Sequence, residues 1–315
     1  MKTPLRYAGG KSKAIRFITP YVADHTKVVS PFIGGGSLEV HWASLGKKVI
    51  GYDTFDMLVN FWNVLLDRPL ELADELSKIS PDKETYEDIK EKLLTLDKTQ
   101  EMLSDWGTDH YKRDKVITLD EVTRAAYYFF NHNASYGPGY LGWASDMYLK
   151  ETRWRRMRDS IKNFKCKNLK VKQMNFSKSI PKHKNDFLYL DPPYYLDKDS
   201  DNKMFAGIYP MRNIPVHHDN FDHEKLRDLL NKHEGGFVLS YNNCETIREW
   251  YSDFDLHYPK WSYSMGNGET RIGKNRIEDG NQNSKDSHEI LIHSKVEGDM
   301  PSLWPFNDFD SCKIH

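Results

Sequence analysis

The sequence is poor in cysteine. Cys166, Cys244 and Cys312 are scattered through 315 residues. That spacing excludes a disulfide framework and paired-cysteine metal motifs, and it suits a reducing compartment. Long apolar runs are missing as well. No stretch approaches about 18 apolar residues, so a membrane span is not expected. The opening residues, MKTPLRYAGGKSKA, hold charge but no apolar signal core. Export is therefore not expected, and a cytoplasmic protein is. Net charge is almost absent, at −1. The glycine pattern GxGxxG is also missing, so a dinucleotide cofactor is not the natural inference and a nicotinamide-dependent oxidoreductase is remote. What is present is 38% hydrophobic and 13% aromatic content, enough for a packed core. The length suits one large α/β domain, or a core with a sizeable insertion.

A net charge near zero hides an uneven distribution. From Lys150 to Lys184 there are 13 Lys/Arg and only two acids, Glu151 and Asp159. From Phe61 to His110 there are 13 acids and six bases. The basic stretch, and Arg153, Arg155, Arg156 and Arg158 in particular, is able to hold a phosphate backbone locally. A solvated face would look the same.

The chain order points to a doubly wound sheet. Lys27–Ser30 reads as a short strand and leads into PFIGGGSLEV. Lys48–Tyr52 reads as a second strand ending at Asp53. Gly34, Gly35 and Gly36 permit a tight turn and a close ligand approach. Asp53 lies 19 residues after Gly34, close to the usual position of an acid that accepts from ribose hydroxyls. A purely structural turn is the competing reading. Residues 61–110 read as acidic helices with Leu72, Leu76 and Ile79 inward, and Pro81 separating two of them. A helix over Val122–Phe130 is expected to end near Asn131. The Gly-, Asn- and aromatic-rich stretch after it is expected to be a loop. There Tyr136, Tyr140 and Trp143 are candidates to stack on bases, and Asn131, Asn133 and Ser135 are candidate donors and acceptors. Such a loop packing its aromatics onto the core is equally consistent. Further strands are expected at Val171–Phe176, Asp186–Leu190, Gly236–Ser240, Phe254–Tyr258 and Glu289–His293. Residues 264–287 read as a weakly basic loop.

The strand Asp186–Leu190 empties into Asp191-Pro192-Pro193-Tyr194. Two prolines end a strand abruptly and hold Asp191 at the carboxyl end of the sheet. Consider an aromatic amine, whose lone pair is delocalised and poorly nucleophilic. The Asp191 carboxylate and the Pro192 carbonyl are able to accept its hydrogens as the nitrogen becomes tetrahedral, and Tyr194 is able to stack on its ring. That is catalysis by positioning and electrostatics, with no metal required. A base in a duplex would have to be flipped out to reach such a site.

Taken together, these pieces resemble the Dam-like D12 class, alpha-type, of adenine-N6 DNA methyltransferases. Leu5-Arg6-Tyr7-Ala8-Gly9-Gly10-Lys11 looks like the family's amino-terminal AGGK element. Pro31–Ser37 resembles its PFxGxG cofactor loop. Arg124 to Asn131 resembles the helix ahead of its recognition loop, and Asp191–Tyr194 resembles its catalytic tetrad. Ser240 with Asn242, and Glu289–Ile292, resemble its Ser-Asn element and closing strand.

The resemblance implies an α/β, doubly wound, Rossmann-like S-adenosylmethionine-dependent methyltransferase sheet with an inserted, mainly helical recognition domain. Residues 1–60 and 151–315 would form the catalytic domain, and 61–150 the insertion. S-adenosylmethionine would be held by Tyr7, Lys11, Phe32, Gly34, Gly36, Asp53, Asn175 and Asp191. Tyr7 and Lys11 would meet its methionine end. Asn175 stands where the family often has an acid, and His132 and Tyr136 depart from the usual recognition loop. Asp191, Pro192 and Tyr194 would serve the adenine, and Leu196–Pro215 would close over it. Asn131, Ser135, Tyr136, Tyr140 and the four arginines would contact double-stranded DNA. The implied protein is a monomer or weak dimer in a prokaryotic or phage-infected cell, with a separate restriction endonuclease as an eventual partner. Alternatives left open are methyl transfer to an RNA or protein amine, and a relative that binds DNA without catalysis.

Overall fold

Neighbouring residues on the central strands face opposite ways, and each face is covered. In the computed structural model, which describes residues 1–105, 115–195, 221–259, 262–264, 284–286 and 289–294, Val28 joins one buried cluster and Val29 the other. Val238 and Leu291 join the first cluster, while Leu239, Ile290 and Ile292 join the second. A strand buried on both faces reads as a near-continuous apolar run, as these strands do.

The strands are Lys27–Ser30 (β1), Lys48–Asp53 (β2), Leu169–Gln173 (β3), Leu188–Leu190 (β4), Phe237–Asn242 (β5) and Asp255–His257 (β6), then Ser262–Ser264 (β7), Ser284–Asp286 (β8) and Glu289–Ser294 (β9). Seven of them form one sheet in the order β3-β2-β1-β4-β5-β9-β6, and β7 pairs with β8 separately. β1 to β5 are mutually parallel, and β9 is antiparallel to both β5 and β6. This mixed, mostly parallel sheet agrees with the doubly wound α/β fold that the sequence predicts. Its order reverses direction between β1 and β4, the switch point at which open α/β sheets bind ligands.

The helices are Ile15–Ile18 (α1), Ser37–Ser44 (α2), Asp56–Asp67 (α3), Pro69–Ser77 (α4), Lys83–Leu94 (α5), Asp97–Asp105 (α6), Glu121–Ala134 (α7), Glu151–Lys162 (α8), Phe176–Lys182 (α9), His223–Leu230 (α10) and Glu245–Trp250 (α11). Among them, none is long and apolar enough to cross a membrane. Their starts follow from the sequence. Asp82, Asp120 and Asp222 each accept backbone N–H bonds at the first turns of α5, α7 and α10. At Asp120 these amides hold the carboxyl below its usual range.

Residues 61–150 include α4 to α7 and part of α3, so the expected boundary at residue 60 falls inside a helix. Leu72, Tyr86, Phe129 and Phe130 share one buried cluster with Val28 and Val49 of the sheet. The helical segment is therefore a layer laid directly on the core. α8 ties into it through the buried Trp154, whose indole N–H donates to the Ile79 carbonyl at 3.2 Å.

Two expected element ends are corrected. β3 stops at Gln173, and Phe176 opens α9 instead of closing the strand. α7 does not end near Asn131 but continues to Ala134. The Asn133 amide donates back to the Phe129 carbonyl at 3.1 Å, and the Asn131 side-chain carbonyl accepts from the Leu141 N–H at 2.7 Å. Both asparagines find partners without leaving the helix. The expected loop at 264–287 lies outside the described residues except for β8 and Ser264. The segment 196–215 lies outside them altogether.

Replacing Trp154 with alanine removes a fully buried ring and a hydrogen bond, and should lower stability by about 3–5 kcal/mol. Urea denaturation checks this. A loss under about 1 kcal/mol would mean that α8 is not part of the cooperative core.

Candidate active site

The glycine loop begins where β1 stops. Gly36 has φ 63, in the left-handed region that glycine tolerates, and a Cβ there would lie 2.6 Å from Trp62. At Gly35 a Cβ would lie 2.4 Å from the Cβ of Tyr7. The glycines thus let two aromatic side chains press on the loop backbone. Trp62 also donates its indole N–H to the Gly34 carbonyl at 3.0 Å. From the other side, Asp53 at the end of β2 accepts the Gly34 N–H at 3.2 Å and the Phe55 N–H at 3.0 Å. Burial raises the Asp53 carboxyl pKa, and these amides partly offset the rise.

Asp191 follows β4, across the switch point from the loop. Its Oδ1 lies 2.8 Å from the Lys11 ammonium. Lys11 is buried, and it also donates to the Tyr194 hydroxyl at 3.0 Å and the Gly9 carbonyl at 3.2 Å. Those three acceptors match the three hydrogens of an ammonium. Glu289, the first residue of β9, approaches Lys11 at 3.6 Å and accepts from the Ser240 hydroxyl at 2.8 Å. A further carboxyl, the buried Glu39 on α2, accepts from Ser30 at 2.7 Å. Burial pushes Glu39 up to about 7, with the charge of Asp191 adding to the rise. Burial also raises Asp191 to about 6, with Lys11 opposing and Glu289 reinforcing that shift.

The turn carrying Asp191 is clasped from β5. The Asn242 side chain accepts the Tyr195 N–H and donates to the Tyr195 carbonyl, both at 2.8 Å. Tyr194 is itself buried, with its ring 6.3 Å from that of Tyr241. Beside this turn, Phe32, Phe176 and Phe221 form an aromatic wall with centroids 4.9 to 5.7 Å apart. Asn175 caps α9 by accepting the Ser177 N–H at 2.9 Å. Phe32, Gly34, Asp53, Asn175 and Asp191 thus belong to the carboxyl-end turns of neighbouring strands.

Lys11 reaches this centre because the chain before it is pinned to α7. Asn133 accepts the Arg6 N–H at 2.8 Å, and His132 donates to the Arg6 carbonyl at 2.8 Å. Burial drops the His132 pKa to about 4, so its ring is neutral. Tyr7 stacks on it at 5.5 Å. Lys11, expected to meet a cofactor's methionine end, is ion-paired with the Asp191 carboxylate. Sequence reasoning missed Glu39 and Glu289. The signal that could have found them is a carboxylate inside otherwise apolar runs, Leu38 to Val40 and Glu289 to Ile292.

Among the expected DNA contacts, the structure separates inward from outward groups. Asn131, Ser135 and Tyr140 are buried. Ser135 bonds within its own turn, and the Tyr140 hydroxyl pairs with Thr99 at 2.7 Å. They hold the loop together and do not face solvent, the inward packing that the sequence left open beside a base contact. Tyr136 and Trp143 are exposed at 56% and 75%. The Tyr136 N–H donates to the Trp143 carbonyl at 2.7 Å, closing a hairpin-like turn. On α8, Arg153, Arg155 and Arg156 are exposed, whereas Arg158 pairs with Glu151 at 3.4 Å. Arg153 also approaches the Tyr148 ring, which Arg6 covers at 3.3 Å. Arg6 is therefore a cation of this surface that charge counting overlooked.

A family profile, D12 class N6 adenine-specific DNA methyltransferase, matches residues 7–265. The chain belongs to that family. It is also 24% identical over 299 residues to the type II methyltransferase M.FokI of Planomicrobium okeanokoites. That match covers 88% of this chain and 42% of the relative, so the chain spans about two-fifths of the length of that curated protein.

For this D12-class chain, carbon-13 NMR of the Asp191 carboxyl should report a titration near 6. Lys11→Met removes the cation that lowers this pKa and should raise it. Glu289→Gln removes an anion that raises it and should lower it. Shifts of the same sign in both variants would overturn this electrostatic reading.

Proposed function

We propose that this chain transfers a methyl group from S-adenosylmethionine to the N6 amine of an adenine flipped out of double-stranded DNA. One observation carries the reading. The glycine loop after β1 and the Asp-Pro-Pro-Tyr turn after β4 flank the switch point of the sheet, joined there by Lys11.

The residues fit such a cofactor. Phe32 and its aromatic neighbours offer an apolar wall for an adenine ring. Asp53, next to the Gly34 backbone, offers acceptors for ribose hydroxyls. Asp191, Glu289 and Glu39 give the centre an acidic character that favours a cationic ligand such as a sulfonium. When bound, S-adenosylmethionine supplies an electrophilic methyl group.

The chain's own work is positioning. The Asp191 carboxylate and the Pro192 carbonyl accept the two amine hydrogens and draw the nitrogen lone pair out of conjugation. A carboxylate accepts several hydrogen bonds, so Lys11 on Oδ1 is compatible with an amine beside it. As the amine becomes an ammonium it sheds a proton, and a carboxyl held near 6 is suited to share it. Tyr194 stacks on the base once the pocket opens around its ring. Tyr136, Trp143, Arg6, Arg153, Arg155 and Arg156 form the DNA-facing surface, with sequence-specific recognition in residues 61–150. We carry over from the type II relative, as part of this proposal, a cytoplasmic setting and a separately encoded restriction endonuclease. We take the chain to act as a monomer or weak dimer.

The test is methylation of unmodified genomic DNA by purified protein and S-adenosylmethionine, read by single-molecule sequencing. N6-methyladenine in one short context supports the proposal in full. No modified adenine, with cofactor binding confirmed separately, overturns it. Asp191→Ala should lower the rate by about 10²-fold or more while cofactor still binds. Because only ionised Asp191 accepts from the amine, the rate should rise with pH through about 6 and then level off. Replacing Arg153, Arg155 and Arg156 with alanine should weaken binding to all sequences. The slope of log K against log salt should flatten by about 0.9 for each phosphate that an arginine no longer neutralises. An unchanged slope would place the phosphates elsewhere.

A further inference from the structure

The sequence offers no Cys/His ligand spacing, but strand pairing creates a ligand set. β6 and β9 are antiparallel, with Asp255 opposite His293 and His257 opposite Leu291. Leu291 belongs to the buried cluster on one face of the sheet, and Ile290 and Ile292 to the other. His293, two residues after Leu291, therefore shares the face of Leu291, and Asp255 and His257 share it as their partners. One ligand atom from each of Asp255, His257 and His293 lies within 4.8 Å of the others. All three residues are half-buried.

We propose that Asp255, His257 and His293 form a binding site for a divalent transition metal ion of the zinc class. Two imidazoles and one carboxylate are among the donor sets that hold Zn²⁺ through three protein ligands and leave a fourth position for water. Tetrahedral zinc with bonds near 2.0–2.1 Å brings its ligand atoms about 3.3 Å apart. The present spacing closes to that value by side-chain movement of roughly 1.5 Å, without moving the paired strands. The imidazoles are backed by aromatic rings. Tyr21 lies 5.4 Å from His257 and 4.9 Å from His293, and Phe187 lies 6.5 Å from His293.

The site is separate from the centre around Asp191. β9 begins at Glu289, beside Lys11, and reaches His293 four residues later, about 13 Å along the strand. An ion here clamps β6, an edge strand of three residues, to β9. The role is structural: it fixes the strand whose other end carries Glu289.

The test uses the full chain, stripped of metal with a chelator and titrated with Zn²⁺ by calorimetry and with Co²⁺ by visible absorption. The expected result is one ion per chain, a Co²⁺ spectrum of four-coordinate type, and a higher thermal midpoint with Zn²⁺. His293→Ala, His257→Ala and the milder Asp255→Asn should each weaken Zn²⁺ binding, the histidine changes by about 100-fold or more. Circular dichroism verifies that each variant is folded. Less than one ion per wild-type chain overturns the proposal. So does full-strength binding by folded His257→Ala and His293→Ala, which would assign the ion to other histidines.

Discussion

A buried ammonium organises this molecule. Lys11 sits 2.8 Å from Asp191 and 3.6 Å from Glu289, and donates to the Tyr194 hydroxyl. An isolated charge in such a place is expensive, and it persists only when its hydrogens are matched and its charge is opposed. That requirement reaches in three directions. Asp191 must leave β4 on the correct side, Glu289 must open β9, and the amino-terminal segment must lie close enough to deliver Lys11. Each condition involves a different, distant part of the chain, so the centre forms only when the whole sheet has closed.

The topology makes that convergence possible. In the order β3-β2-β1-β4-β5-β9-β6, the turns after β1 and β4 diverge at the point of reversal and leave a crevice. The glycine loop fills one wall and is gripped on both sides, by Asp53 from β2 and by Trp62 and Tyr7 from the helical side. The Asp-Pro-Pro-Tyr turn fills the other wall and is gripped by Asn242. Rigid walls matter because catalysis by positioning loses its advantage when reacting groups drift by an ångström.

Much of this was legible in the sequence wherever the signal was local. A β-branched strand followed by glycines, a strand followed by two prolines, and an acid after the second strand all read correctly as turns of one sheet. Composition left open what it does not decide, namely which way a side chain faces. Asn131, Ser135 and Tyr140 have the composition of a recognition loop, yet they pack inward because their polar atoms find Leu141, Gly139 and Thr99. Tyr136 and Trp143, from the same stretch, point outward. Glu39 and Glu289 were passed over for the opposite reason. Each lies in an apolar run that looks like ordinary core, and only tertiary pairing with Ser30, Ser240 and Lys11 gives its charge a place.

The amino-terminal segment shows what such pairing does mechanically. Arg6 is bonded to the last turn of α7 and lies over Tyr148, next to the hairpin that displays Tyr136 and Trp143. Tyr7 lies against the glycine loop, and Lys11 against Asp191. Between Arg6 and Lys11 the chain therefore touches the outward-facing hairpin, the loop after β1 and the Asp-Pro-Pro-Tyr turn. Tyr7 cannot move without freeing the space over Gly35, and Lys11 cannot move without leaving Asp191 and Glu289 as opposed anions. The segment is a strut whose two ends are fixed by different physics, hydrogen bonding at Arg6 and charge at Lys11.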